Sequence, residues 1–112
     1  MCVSSLPTGP TISRGIHPPR QCVVRCLFQV IDINLKSVWL LCQAAGRHMI
    51  PLREGKIINF CSLMSFQGGL TIPAYTAAKG ALGQLTKSLS NEWSQHSVQV
   101  NGIVPGYIAT EM

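Results

Sequence analysis

Acidic residues are scarce in this chain of 112 residues, which has 4 Asp and Glu against 9 Lys and Arg and a formal net charge of +5. Aromatic residues make up only 6% of the sequence. A nucleic-acid-binding surface needs Lys and Arg on one face with aromatic side chains between them, and no such pattern is present, so we expect no nucleic-acid partner. Neither His48 nor His96 has a partner at metal-ligand spacing, so we expect no metal site.

Long apolar runs are also missing. Gln43, Arg47 and His48 interrupt the most apolar segment, whereas a membrane-spanning helix needs about 20 consecutive apolar residues. The five cysteines, at positions 2, 22, 26, 42 and 61, form no Cys-x-x-Cys pair, and no secretory signal precedes them. We therefore expect no membrane partner and a reducing, cytoplasmic compartment, with Cys42 and Cys61 packed as small hydrophobic side chains.

The first 26 residues differ from the rest of the chain in composition. They contain four prolines, three arginines and no acidic residue, which is typical of disordered segments. We interpret residues 1–26 as an atypical, disordered leader and residues 27–112 as part of a folded domain. A mitochondrial presequence would be similar in composition, but the prolines would break its amphipathic helix. An alternative exon or an erroneous gene start is the other interpretation.

Apolar periodicity predicts two helices and two strands after the leader. A helical stripe covers Phe28 to Ile50, and a second covers Ala74 to Ser94, entered after a proline. The short apolar runs at Lys56 to Cys61 and Val98 to Val104 are typical of parallel strands that are covered on both faces. The small residues of the second helix would let another helix approach closely. This alternation predicts the α/β class.

Tyr75, Lys79 and Ser62 form a candidate proton-transfer site. Residues four apart on a helix lie on the same face, so the Lys79 ammonium can approach the Tyr75 phenol and favour its ionised form. Ser62 directly follows the first apolar strand, and for that reason we prefer it to Ser65 as the serine of the site. One lysine is not enough to make a tyrosine an effective acid or base at neutral pH, so a cationic cofactor ring and a serine hydroxyl would have to contribute.

Four segments of the chain, from Ile31 to Met112, resemble the short-chain dehydrogenase/reductase family in order and spacing. They are Ile33 to Leu35, Lys56 to Ser62, Tyr75 with Lys79, and Val98 to Asn101 followed by Pro105 and Gly106. The narrower likeness is to the 2-deoxy-D-gluconate 3-dehydrogenase (2-dehydro-3-deoxy-D-gluconate 5-dehydrogenase) subgroup. It rests on residues 62–69, 90–93 and 105–110.

The resemblance implies a catalytic set of Asn34, Ser62, Tyr75 and Lys79. Tyr75 would be the general acid and base, and Ser62 would hydrogen-bond the substrate oxygen. Lys79 would support the Tyr75 phenolate and hold the nicotinamide ribose. Asn34, in a distorted helix, would hold a water that relays protons.

The resemblance also implies NAD or NADP as the cofactor. Besides Tyr75 and Lys79, its contacts would come from the segment after the second strand. Pro105, Gly106 and Ile108 would line the nicotinamide ring, and Thr110 would reach the cofactor amide or phosphate. The family further implies a homo-oligomer that pairs through the helices at 28–50 and 74–94.

The family's fold places a glycine-rich pyrophosphate turn ahead of the catalytic half. Residues 8–15 resemble that turn only superficially, because Ser13 replaces its middle glycine and Pro10 follows Gly9. We therefore expect a partial, Rossmann-like, doubly wound parallel sheet, truncated at both ends. The expected function is hydride transfer between NAD(P) and a secondary alcohol or ketone of a deoxy-sugar acid. The alternative is an inactive fragment that pairs with full-length subunits.

The first prediction concerns coenzyme binding by the purified 112-residue chain. Because no residues match the pyrophosphate turn, we expect the chain to bind neither NAD nor NADP with useful affinity and to turn over no sugar acid. Titration of the reduced coenzyme, followed by its nicotinamide fluorescence, measures this. Saturable binding at micromolar coenzyme would contradict the prediction.

Overall fold

The computed structural model of the protein describes residues 24–107, which form helices on one side of a parallel pair of strands. The elements in chain order are helix α1 (Val24–Ile31), a π-helical segment (Asp32–Lys36), helix α2 (Ser37–Leu52), strand β1 (Gly55–Phe60), helix α3 (Pro73–Trp93) and strand β2 (Val98–Ile103). Short 3-10 turns cover Leu63–Ser65 and Ser94–His96.

The structure contains the predicted helices and strands, with small shifts at their ends. The first helix begins at Val24 rather than Phe28 and runs without a break into the π-helical segment and α2. Of the segment interpreted as a leader, residues 1–23 lie outside the described residues. None of the helices among residues 24–107 is both long enough and apolar enough to span a membrane.

Local chemistry explains where the helices begin and end. Arg53 adopts the left-handed conformation with φ of 54°, and its N–H donates to the Ile50 and Met49 carbonyls, which closes the last turn of α2. Pro73 stands in the first turn of α3, where a missing N–H costs nothing. Ser97, at φ of 59°, turns the chain from the end of α3 into β2.

The two strands are parallel and in a single register, from Gly55 paired with Val98 to Phe60 paired with Ile103. Parallel neighbours need a crossover connection, and α3 provides it. The strand–helix–strand unit confirms the α/β class and the parallel sheet that the sequence predicts.

The core lies between one face of this sheet and the two long helices. It is a cluster of Cys42 from α2, Leu89 and Trp93 from α3, and Val98 and Val100 from β2. Close contact between the helices depends on Gly46, because a Cβ at that position would lie 2.7 Å from the Trp93 indole. The stripe predicted from Ala74 to Ser94 is present on α3, where the buried residues are Ala74, Ala78, Leu82, Thr86, Leu89 and Trp93.

The opposite face of the sheet is uncovered within the described residues, contrary to the expectation that both faces of the strands are covered. Ile58 and Phe60 are 57% and 66% exposed there. The apolar stripe predicted from Phe28 to Ile50 is also covered only in part, since Leu41 within it is 70% exposed, as is Ile33 in the π-helical segment. Among residues 24–107, these side chains have neither the strands nor another helix to cover them fully.

The free edge of β1 and this uncovered face lead to a prediction about self-association. Unpaired strand edges and apolar patches promote association, so we expect the 112-residue chain not to behave as a monodisperse monomer. Sedimentation velocity measures this, and Ile58→Lys should reduce association by placing a charge on the patch. Gln99→Lys, at an exposed polar position on β2, is the matched control. A monodisperse wild-type monomer with slowly exchanging amides from Ile57 to Cys61 would contradict the prediction.

Candidate active site

The candidate site lies where both strands end. Because Phe60 pairs with Ile103, Ser62 and Pro105 each follow a paired residue by two positions and emerge at the same edge of the sheet. The carboxyl ends of parallel strands are where ligands bind in sheets of this kind.

Lys79 and Tyr75 reach this edge from the first two turns of α3. The Lys79 ammonium donates a hydrogen bond of 2.7 Å to the carbonyl of Phe60, the last residue of β1. The same Nζ lies 5.7 Å from the centroid of the Tyr75 ring, within the range of a cation–π contact. The predicted pairing of this lysine and tyrosine on one helix face is therefore present.

Ser62 and Ser65 have different hydrogen bonds. Ser62 caps the 3-10 turn, and its Oγ accepts from the Met64 N–H at 3.2 Å. Ser65 Oγ donates to the Lys79 carbonyl at 2.6 Å and accepts from the Ser62 N–H at 3.3 Å. The hydroxyl proton of Ser65 is therefore bonded to α3. The Ser62 hydroxyl accepts a hydrogen bond from Met64, and its own proton remains available for a substrate oxygen. This difference favours Ser62 over Ser65.

Asn34 lies in the π-helical segment, so its helix is distorted as the family resemblance implies. Its Nδ2 donates to the Val30 carbonyl at 3.0 Å. Asn34 and Lys79 line the same groove of about 520 Å³ along the free edge of β1. Apolar side chains of α2, among them Val38 and Met49, form much of the remaining wall.

The residues proposed to hold the nicotinamide end of a cofactor are only partly described. Pro105 and Gly106 follow β2 and are exposed, and a Cβ at Gly106 would meet nothing within 4 Å. Ile108 and Thr110 lie outside the described residues. The Lys79 ammonium, close to the Tyr75 ring and beside an open groove, fits the hydroxyls of a ribose. Within residues 24–107, no glycine-rich turn leads directly from a strand into a helix to hold a pyrophosphate.

A row of buried hydrogen bonds next to the site was not predicted from the sequence. Cys42 Sγ donates to Asn59 Oδ1 at 3.6 Å, Asn59 Nδ2 donates to Thr86 Oγ1 at 3.0 Å, and Thr86 Oγ1 donates to the Leu82 carbonyl at 2.8 Å. Asn59 and Thr86 are only 4% and 6% exposed. The available signal was a polar residue inside an apolar strand, because a buried amide requires partners. Cys42 is buried as predicted, and it also takes part in this row.

The model of the short chain dehydrogenase family matches residues 20–112. The chain is 57% identical over 81 residues to a 2-dehydro-3-deoxy-D-gluconate 5-dehydrogenase of Bacillus subtilis, covering 72% of this chain and 32% of that protein. It is 46% identical over 83 residues to a gluconate 5-dehydrogenase of Gluconobacter oxydans, covering 74% and 32%. The chain belongs to the short-chain dehydrogenase family and spans about a third of the length of these curated relatives.

Solved structures agree with this assignment. An acetoin dehydrogenase from Salmonella typhimurium superposes with a TM-score of 0.76 at 39% identity, covering 80% of this chain and 37% of that one. A gluconate 5-dehydrogenase from Burkholderia cenocepacia, solved in complex with NADP and tartrate, gives a TM-score of 0.73 at 41% identity, covering 77% and 34%. These superpositions confirm the Rossmann-like fold class.

Burial raises the pKa of the Cys42 thiol above its ordinary value of 9.0, and the hydrogen bond that the thiol donates to Asn59 also favours the protonated form. A thiol with a raised folded-state pKa contributes stability that is fully present below the ordinary value and is lost as the pH rises through the folded value. We therefore expect the free energy of unfolding to fall as the pH rises above 9.0, the ordinary pKa of the thiol, because the unfolded chain then loses the thiol proton before the folded chain does. Urea unfolding measures this.

Cys42→Ser is the matched control for that measurement, because a serine hydroxyl can still donate to Asn59 and does not titrate in this range. The difference in stability between wild type and Cys42→Ser should decline with rising pH. A difference that stays constant from neutral pH upward would show that ionisation of Cys42 is not coupled to unfolding.

Proposed function

We propose that this chain provides the proton-transfer half of a nicotinamide-dependent dehydrogenase that interconverts a secondary alcohol and a ketone of a gluconate-type sugar acid. The observation that carries the proposal is the position of Lys79. Its ammonium contacts both the end of β1 and the Tyr75 ring. Ser62 emerges two residues beyond that strand end, with a hydroxyl proton available.

Proton transfer is the step that these residues support. Tyr75 acts as the acid when a ketone is reduced and as the base when an alcohol is oxidised, and Ser62 donates to the substrate oxygen. The Lys79 ammonium stabilises negative charge on the Tyr75 oxygen and binds the nicotinamide ribose. When bound, the nicotinamide accepts or delivers the hydride.

Asn34 and the segment after β2 complete the proposed site. Asn34 lines the groove with Lys79 and would hold a water that returns protons to solvent. Pro105 and Gly106, together with Ile108 and Thr110 beyond the described residues, would contact the nicotinamide end of NAD or NADP. A Burkholderia relative was solved with NADP, which supports this class of cofactor.

The substrate class rests on the relatives. Several proteins at 46% to 57% identity carry the names of gluconate or deoxygluconate dehydrogenases. The resemblance of residues 62–69 to the deoxygluconate subgroup supports the same substrate class, because this loop begins with Ser62 and lies at the proposed substrate site. We propose a keto or hydroxy sugar acid as the substrate.

The alternative proposal is a non-enzymatic fragment that pairs with full-length subunits. An open groove of about 340 Å³ between α2 and α3, lined by Trp39 and Trp93 among others, could accept helices of a second subunit. Homo-oligomerisation through these helices is part of both proposals.

A chimeric enzyme tests the proposed function. The 81 matched residues of this chain would replace the corresponding segment of the Bacillus relative, and turnover of 2-dehydro-3-deoxy-D-gluconate would be followed by absorbance of the reduced coenzyme. We expect an active chimera in which Tyr75→Phe lowers kcat by about 10²- to 10⁴-fold, because the general acid and base is lost. Coenzyme binding should survive this change.

Lysine variants provide the matched comparison in the same chimera. Lys79→Met should lower turnover, whereas Lys87→Met, two turns further along α3 and exposed, should not. An inactive chimera beside an active parent would favour the non-enzymatic fragment. Full turnover by Tyr75→Phe would remove Tyr75 from the mechanism.

A further inference from the structure

The buried row that joins Cys42, Asn59, Thr86 and Leu82 has one donor for each acceptor. The Asn59 amide nitrogen faces Thr86, and Oδ1 is then left to accept from the Cys42 thiol. The Thr86 hydroxyl gives its proton to the Leu82 carbonyl and therefore accepts from that nitrogen. The orientation of the Asn59 side chain is fixed by its partners on both sides.

This row attaches β1 to α3 at a defined register. Asn59 bonds Thr86 through its side chain, and the next residue, Phe60, bonds Lys79 through its carbonyl. Thr86 follows Lys79 by seven residues, which is close to two helical turns, so both lie on nearly the same face of α3. Two consecutive strand residues therefore hold two points of one helix face.

Hydrogen bonds of this kind can fix a helix more tightly than the apolar contacts around them. Apolar side chains of α3, such as Leu82 and Leu89, can shift by a fraction of a turn and still be buried. The Asn59 amide cannot, because a shift would leave its buried donor without a partner. The Ser65 bond to the Lys79 carbonyl supports the same position from the loop after β1.

We propose that Asn59 and Thr86 are positioning residues that hold α3 on β1 at the register where the Lys79 ammonium reaches both the Phe60 carbonyl and the Tyr75 ring. The functional part of this statement rests on the proposed dehydrogenase function. The geometric part concerns Lys79 in the chain as it stands. Neither Asn59 nor Thr86 bonds the substrate in this proposal. Asn59 lines the groove that holds Lys79, but its amide oxygen and nitrogen are already bonded to Cys42 and Thr86, and both residues are buried.

Amine labelling of the 112-residue chain tests the geometric part without any activity. A lysine that donates to a carbonyl reacts slowly with acetic anhydride, and peptide mass spectrometry gives the rate of Lys79 relative to exposed Lys87 in the same sample. Thr86→Val keeps the size of the side chain and removes the acceptor, so it should raise this ratio several-fold. Thr86→Ser retains the hydroxyl and should keep the wild-type ratio.

A stability control separates positioning from general destabilisation. Leu89→Ala removes packing from the same helix at a residue that is 2% exposed and leaves the row intact. Under native conditions it should lower the melting temperature without raising the Lys79 ratio. An equal rise in Leu89→Ala, or no rise in Thr86→Val, would overturn the proposal. If Thr86→Val unfolds the isolated chain, the same labelling in the chimeric enzyme decides the question.

In an active chimera, Thr86→Val should lower kcat more than it raises the KM for substrate, and Thr86→Ser should restore turnover. An inactive chimera with the expected labelling would reject the dehydrogenase function and leave the positioning role standing. An active chimera with unchanged labelling and unchanged kcat in Thr86→Val would reject the positioning role alone.

Discussion

The hydrogen bond from the Lys79 ammonium to the Phe60 carbonyl joins the helix that carries Tyr75 to the strand that leads to Ser62. These groups come from three segments of the chain, and none of them could form a proton-transfer site by itself. The geometry of the site therefore depends on how α3 lies on β1. The core beneath them gives the attraction between helix and strand, and directed hydrogen bonds set the register.

Burial is strongly one-sided in this part of the fold. Leu82 and Val98 are fully buried between the helices and one face of the sheet, whereas Phe60 on the other face is largely exposed. A strand buried on both faces needs helices on both sides, and residues 24–107 provide helices for only one. Strand β1 therefore has apolar side chains that no element among residues 24–107 covers. The chain spans about a third of the length of its curated relatives.

The type and order of the elements could be predicted from the sequence, because the spacing of apolar residues differs between helices and strands. The stripe through Ala78, Leu82 and Trp93 was predicted and is buried. The stripe from Phe28 to Ile50 was predicted by the same reasoning, but Leu41 within it is exposed. Periodicity shows that a side chain is apolar, but it does not show whether a neighbour is available to cover it.

The sequence by itself indicated Tyr75 and Lys79 from their spacing on a helix and Ser62 from its place directly after a strand, and the resemblance to the family added Asn34. Only the tertiary structure decided how the two serines differ and that the Phe60 carbonyl receives the Lys79 ammonium. The hydrogen bond between Asn59 and Thr86 was likewise visible only in the tertiary structure. Their bond spans 27 residues of sequence, and such a contact exists only once strand and helix have packed together, so no local pattern could specify it.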